Sequence, residues 1–69
     1  MKVLLNPSPD LPDTTLLQDV RLPTRLRRAL TEGGLRTVGE VRATSSTALL
    51  TFQNLGHRSV ALIRELLGP

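Results

Sequence analysis

The residues of this 69-residue chain with the clearest chemical potential stand together in "NLGHRS", residues 54–59. Asn54 and Gly56 suit a tight bend, because glycine accepts positive φ freely and asparagine tolerates it better than most side chains. An apolar helical pattern follows the bend. A helix start leaves its first four amides without intrahelical partners, and the helix dipole makes that end favourable for an anion. A phosphate there meets backbone N–H groups, the Ser59 hydroxyl and the Arg58 guanidinium together. Ordinary helix capping accounts for the same residue types, since Ser, Asn and Gly open many helices. Leu55, between the bend residues, can turn inward as an apolar pin, and His57 reads as an exposed turn residue.

A second basic element tilts the balance towards phosphate. Arg21, Arg25 and Arg28 are spaced so that Arg25 and Arg28 share one face of a helix with Arg21 at its entrance. Like charges at that spacing repel by a few tenths of a kcal/mol per pair. A polyanion neutralises such a stripe and releases counterions, whereas a bare solvated face gains nothing from it. Arginine also binds phosphate oxygens bidentately, which lysine cannot do. Arg27 departs from the stripe, and Arg36, Arg42 and Arg64 read as general surface charge.

Charge is unevenly distributed. Residues 1–19 carry Lys2 against Asp10, Asp13 and Asp19, a net −2, and residues 20–69 carry eight Arg against Glu32, Glu40 and Glu65, a net +5. A GC-rich genome alone also enriches arginine. The absence of cysteine excludes disulfides and thiolate metal sites, and a lone His57 cannot make a zinc cluster. No metal and no cofactor are expected. "VLLN" is too short to span a bilayer and no secretory signal is evident, so no membrane partner and a cytoplasmic location are expected.

The elements that must carry these residues are short helices. "NPSPDLPD" (6–13) is Pro-rich, so residues 1–13 read as a flexible tail and residues 14–69 as a helical domain, with "TLLQDV" as an apolar lead-in. "PTRLRRALTEGG" has Pro23 suited to the first helical position, Gly33-Gly34 at the end, and Leu22, Leu26, Ala29, Leu30 and Gly33 on the buried face. "TVGE" (37–40) has capping-box spacing, with Val38 and Val41 pointing inward. A third helix over roughly 45–51 can be capped by Thr44 or Ser45 and buries Ala48, Leu49 and Leu50. A fourth over roughly 58–67 buries Val60, Ile63, Leu66 and Leu67 and stops at Gly68. No run sustains strand alternation. The expectation is an all-α fold: a compact bundle of four short helices, with a helix–hairpin–helix in its second half and an extended N-terminal lead-in.

In this order and spacing, "VR" before the first helix, "GLRTVGEV" and "NLGHRSVALIRELL" resemble the C-terminal domain of the bacterial RNA polymerase α subunit, over about residues 13–68. The resemblance implies binding of upstream promoter DNA at the A·T-rich minor groove, and docking on RNA polymerase, σ factor and transcription activators. It implies that Arg21 enters the groove and that Asn54, Gly56, Arg58 and Ser59 grip the adjacent phosphates. A narrow A·T-rich groove concentrates negative potential, so one inserted arginine can read its shape. The chain departs from the family pattern at several positions. Thr24 stands where an Asn is usual, Arg25 where a small residue is usual, Arg58 where lysine is frequent, and Leu62 where glutamate is frequent. Leu22 replaces the capping serine, with Pro23 as the compensating residue. The "MKVLLN" start and these departures favour a free-standing protein that borrows the fold over an excised domain.

Two functions compete. One is a non-enzymatic DNA-binding module of bacterial transcription, with Arg21, Thr24, Arg25, Asn54, Gly56, Arg58 and Ser59 at the double-stranded DNA. The alternative is a protein-docking module of the same fold, using Leu62 and Arg28. Helix–hairpin–helix enzymes such as glycosylases need a catalytic Asp or Lys and a base pocket beyond the hairpin, and this chain ends ten residues after Ser59.

Overall fold

The computed structural model describes residues 3–69. A 3-10 turn, Leu17–Asp19, precedes four α-helices: α1 (Thr24–Glu32), α2 (Val38–Ala43), α3 (Ser46–Leu49) and α4 (His57–Leu67). Among the described residues, pairing of extended backbone is confined to two isolated bridges, Leu5 with Val20 and Leu16 with Thr37. The fold is all-α, as expected. Its core takes residues from every helix, including Leu17, Leu30, Val38, Leu49, Ile63 and Leu67, all fully buried.

Helix α2 shows how closely local sequence sets an element here. Thr37 Oγ1 accepts from the Glu40 amide at 3.1 Å, and Glu40 Oε1 accepts from the amides of Thr37 at 3.0 Å and Arg36 at 2.9 Å. The lead-in supplies the remaining acceptors: Thr15 O takes the Val38 amide and Asp13 O the Gly39 amide, each at 2.9 Å. That approach requires glycine, because a Cβ on Gly39 would stand 2.6 Å from Asp13 Cβ. In α3 the cap is Ser45, whose hydroxyl accepts from Ala48 N, and the helix is a single turn, Ser46–Leu49. Thr44 instead ends α2, its hydroxyl donating to Glu40 O at 2.7 Å. Leu49 is buried, while Ala48 and Leu50 are half-buried.

The buried face of α1 contains Leu26, Ala29 and Leu30, with Leu22 buried just before it. Pro23 stands one position earlier than expected, as the cap residue rather than the first helical residue. Gly33 is exposed, yet a Cβ built on it would lie 2.2 Å from Phe52 Cε2, so the ring occupies the space a side chain would need. Helix α4 buries Val60, Ile63 and Leu67 with Leu66 half-buried, and Gly68 ends it at φ 90°.

Two arginines read as surface charge prove structural. Arg64, on α4, donates to the carbonyls of Val41 (3.0 Å) and Thr44 and to Ser46 Oγ (3.1 Å), so it covers the C-terminal end of α2. Arg42, on α2, donates to the carbonyls of Leu67 (2.7 Å), Leu11 (2.6 Å), Pro9 (3.0 Å) and Ser8 (3.3 Å). It also pairs with Asp13 at 2.7 Å. The Pro-rich segment read as a tail is thus hydrogen-bonded to the body at several points.

The amides donating to Glu40 hold its carboxyl below the usual range, the Arg36 amide foremost. A lowered folded-state pKa contributes stability that is present above the unfolded value and lost as pH falls through the folded one. Melts of the chain and of Glu40→Gln, run from neutral pH to below the carboxylate range, should show a gap that closes as the medium acidifies. A gap independent of pH would show that the charge contributes nothing.

Candidate nucleic-acid interface

The hairpin leading into α4 is built around a left-handed residue. Asn54 has φ 70°, the only positive φ outside glycine among the described residues. Gly56 differs from expectation: its φ of −109° and ψ of −174° make it an extended cap residue, and a Cβ there would meet nothing within 4 Å. The bend therefore turns at Asn54 alone. Leu55 points inward and is 6% exposed, with its amide donating to Phe52 O at 3.2 Å. The Phe52 ring against Gly33 ties this hairpin to the end of α1.

Beyond that tie, the hairpin and the first turns of α4 share surface with α1. Thr24, Arg25, Arg28 and Ala29 of α1 line one surface depression together with Asn54. Pro23, Arg25 and Leu26 line a second with Ser59 and Leu62. Arg25 belongs to both and forms the ridge between them. Six residues singled out in the sequence, Thr24, Arg25, Arg28, Asn54, Ser59 and Leu62, are thus brought to one face. Arg21, Gly56 and Arg58 are exposed and adjoin these residues along the chain, Arg58 beside Ser59 and Arg21 three residues before Thr24.

The backbone at this face is unusual in one respect. Of the four α-helices, α2 and α3 have side-chain caps, whereas α1 and α4 have none. Their first-turn amides therefore lack a side-chain acceptor, and each start carries the positive end of its helix dipole. Neither first turn carries an acidic residue. Arg25 and Arg28 line these depressions, and Arg21 and Arg58, also exposed, stand close to the two starts along the chain. The arrangement offers anion-binding amides, the hydroxyls of Thr24 and Ser59, and planar guanidinium groups on one side of the molecule. That donor set suits phosphate oxygens.

Comparison with known proteins identifies the family. A family model, that of the C-terminal domain of the bacterial RNA polymerase alpha chain, matches residues 12–69. The protein belongs to this family. The alpha C-terminal domain is a non-catalytic, transcription-related domain of RNA polymerase, and its match spans α1–α4 and the lead-in from residue 12. No curated protein and no solved structure matched the sequence. No helix among the described residues is long and apolar enough to cross a membrane.

Sequence reasoning passed over the residues that position this alpha C-terminal domain face. Arg27 Nη2 donates to the carbonyls of Val20 (3.1 Å) and Leu22 (3.2 Å), which flank Arg21. Its displacement from the arginine stripe was the available signal. For Phe52 and Gly33 nothing local announced a contact, since nineteen positions separate them.

Substitution of Asn54 tests the bend. Asn54→Gly should leave the melting transition close to that of the parent, whereas Asn54→Val should cost about 1–2 kcal/mol, the penalty of a left-handed conformation for an L side chain. Equal behaviour of the two variants in thermal denaturation would show that positive φ is not what the position demands.

Proposed function

We propose that the domain is a non-enzymatic DNA-binding module of bacterial transcription, acting in the cytoplasm on upstream promoter DNA. The single observation that carries this reading is the meeting of two uncapped helix starts, α1 and α4, on one surface with the exposed Arg25 and Arg28. In this reading Asn54, Gly56, Arg58 and Ser59 hold phosphates of one strand through amides, hydroxyl and guanidinium. Arg21, at the entrance of α1, enters an adjacent A·T-rich minor groove, where the narrow walls concentrate negative potential. Thr24 takes the position beside it, and its hydroxyl can donate to a groove acceptor in place of an amide. Arg25 and Arg28 extend the positive face along the duplex. The backbone contacts set orientation and most of the affinity, and the groove contact supplies the preference.

A second reading has one observation of its own. Leu62 is 38% exposed and lines an apolar notch with Pro23 and Leu26. A protein partner of the transcription machinery, such as a polymerase subunit, σ factor or activator, could seat on that notch, with Arg28 nearby.

Titration of short duplexes at fixed salt separates the roles. Arg21→Ala should weaken binding to an A·T-rich duplex by about 1–3 kcal/mol, with a smaller effect on a mixed one. Arg58→Ala should weaken both alike and flatten the dependence of affinity on salt. Affinity that does not fall between low and high salt would sink DNA as the ligand. Leu62→Ala, which adds no charge beside Arg25 and Ser59, should leave duplex binding largely intact while weakening capture by polymerase; loss of duplex binding instead would count against the docking role.

A further inference from the structure

We infer that residues 3–11 form a strap that holds Arg21 in position for its groove contact, an inference that rests on the reading of Arg21 given above. One end of the strap pairs with the backbone on both sides of Val20. The Leu5 amide donates to Asp19 O at 2.8 Å, and the Arg21 amide donates to Leu5 O at 2.7 Å. From the opposite side, Arg27 takes the carbonyls of Val20 and Leu22. The Arg21 amide and the carbonyls of Val20 and Leu22 on either side of it are therefore held by hydrogen bonds, and Val20 is fully buried, while Arg21 stays exposed. The other end is latched by Arg42 through the carbonyls of Ser8, Pro9 and Leu11, and Pro9 packs where a Cβ on Gly68 would lie 3.2 Å away.

Simple apolar packing does not account for the strap's near end. Leu5 is 45% exposed and Val3 83% exposed, so what that end contributes is backbone pairing at Arg21 rather than core. The match to the alpha C-terminal domain family begins at residue 12, after the strap. An arginine on an unbraced loop must be ordered when it enters a groove. Ordering a loop or long side chain weakens binding by about twofold to tenfold, and a pre-held backbone removes part of that loss.

The test uses the full chain with Leu5→Pro, which deletes the amide that donates to Asp19, and Arg42→Gln, which releases the far latch. Amide exchange by NMR reports whether Arg21 has been freed. Both variants should speed exchange at Arg21 and raise Kd for an A·T-rich duplex by about twofold to tenfold, leaving a G·C-rich duplex and the salt slope unchanged. In an Arg21→Ala background, Leu5→Pro should add nothing, because the strap acts through that side chain. Faster Arg21 exchange with unchanged A·T-rich affinity, while Arg21→Ala still weakens it, overturns the strap and leaves the groove reading standing. Equal weakening of both duplexes also overturns it, since that pattern marks general loss of fold. If Arg21→Ala itself has no effect, the groove reading has failed before the strap is reached. Should Leu5→Pro not fold, the parent protein decides with Arg42→Gln: an Arg21 amide that exchanges like an unstructured one is fatal to the proposal.

Discussion

Arg64 reaching from α4 to the carbonyls of Val41 and Thr44 is the contact on which the arrangement of helices turns. Short helices leave a large share of their backbone polar groups without intrahelical partners, and a buried orphan costs about as much as a lost hydrogen bond. A helix of six residues such as α2 has more end groups than internal ones. The chain meets this constraint at one end of α2 with side chains and the lead-in, and at the other with Arg64. Arg42 does the same for the end of α4 at Leu67 while drawing the N-terminal segment in. A planar guanidinium suits this work because it offers several donors in fixed directions to carbonyls from different segments.

Seven of the eight arginines, all but Arg36, divide by what their donors meet. Those of Arg27, Arg42 and Arg64 go to backbone carbonyls inside the molecule. Arg21, Arg25, Arg28 and Arg58 are exposed, Arg25 and Arg28 on the face where two helices begin without side-chain caps. One residue type thus completes the fold in one set of places and supplies positive charge in another. Asp13, paired with Arg42, neutralises one of the arginines that complete the fold rather than an exposed one.

Much of this was legible from residue types at short range. Thr37 and Glu40, three apart, announced the start of α2, and the apolar period of "VALIRELL" announced α4, because both depend on neighbours within one turn. The inward Leu55 and the left-handed Asn54 followed from the bend they must make. What stayed hidden were contacts between a side chain and distant backbone. Carbonyls are the same at every position, so no pattern marks the ones that Arg42 or Arg64 will find across twenty or more residues. Gly56 misled for a related reason: glycine permits positive φ but does not require it, and here it serves as an extended cap. For the candidate interface, the residues were legible one by one, and the sharing of one surface by α1, Asn54 and Ser59 is a product of tertiary packing that no local pattern marks.

That packing has a spectroscopic consequence. Phe52 carries the only Phe, Tyr or Trp ring in the protein, and it rests against the Cα of Gly33 at the joint between α1 and the hairpin. The ring current of a single aromatic falls on few nuclei, so the Gly33 α-protons carry a shift that no other such ring can contaminate. Any change in spacing between the two halves of the face alters that shift directly. The molecule thus contains its own gauge of whether it holds rigid or yields when something lands on the arginines.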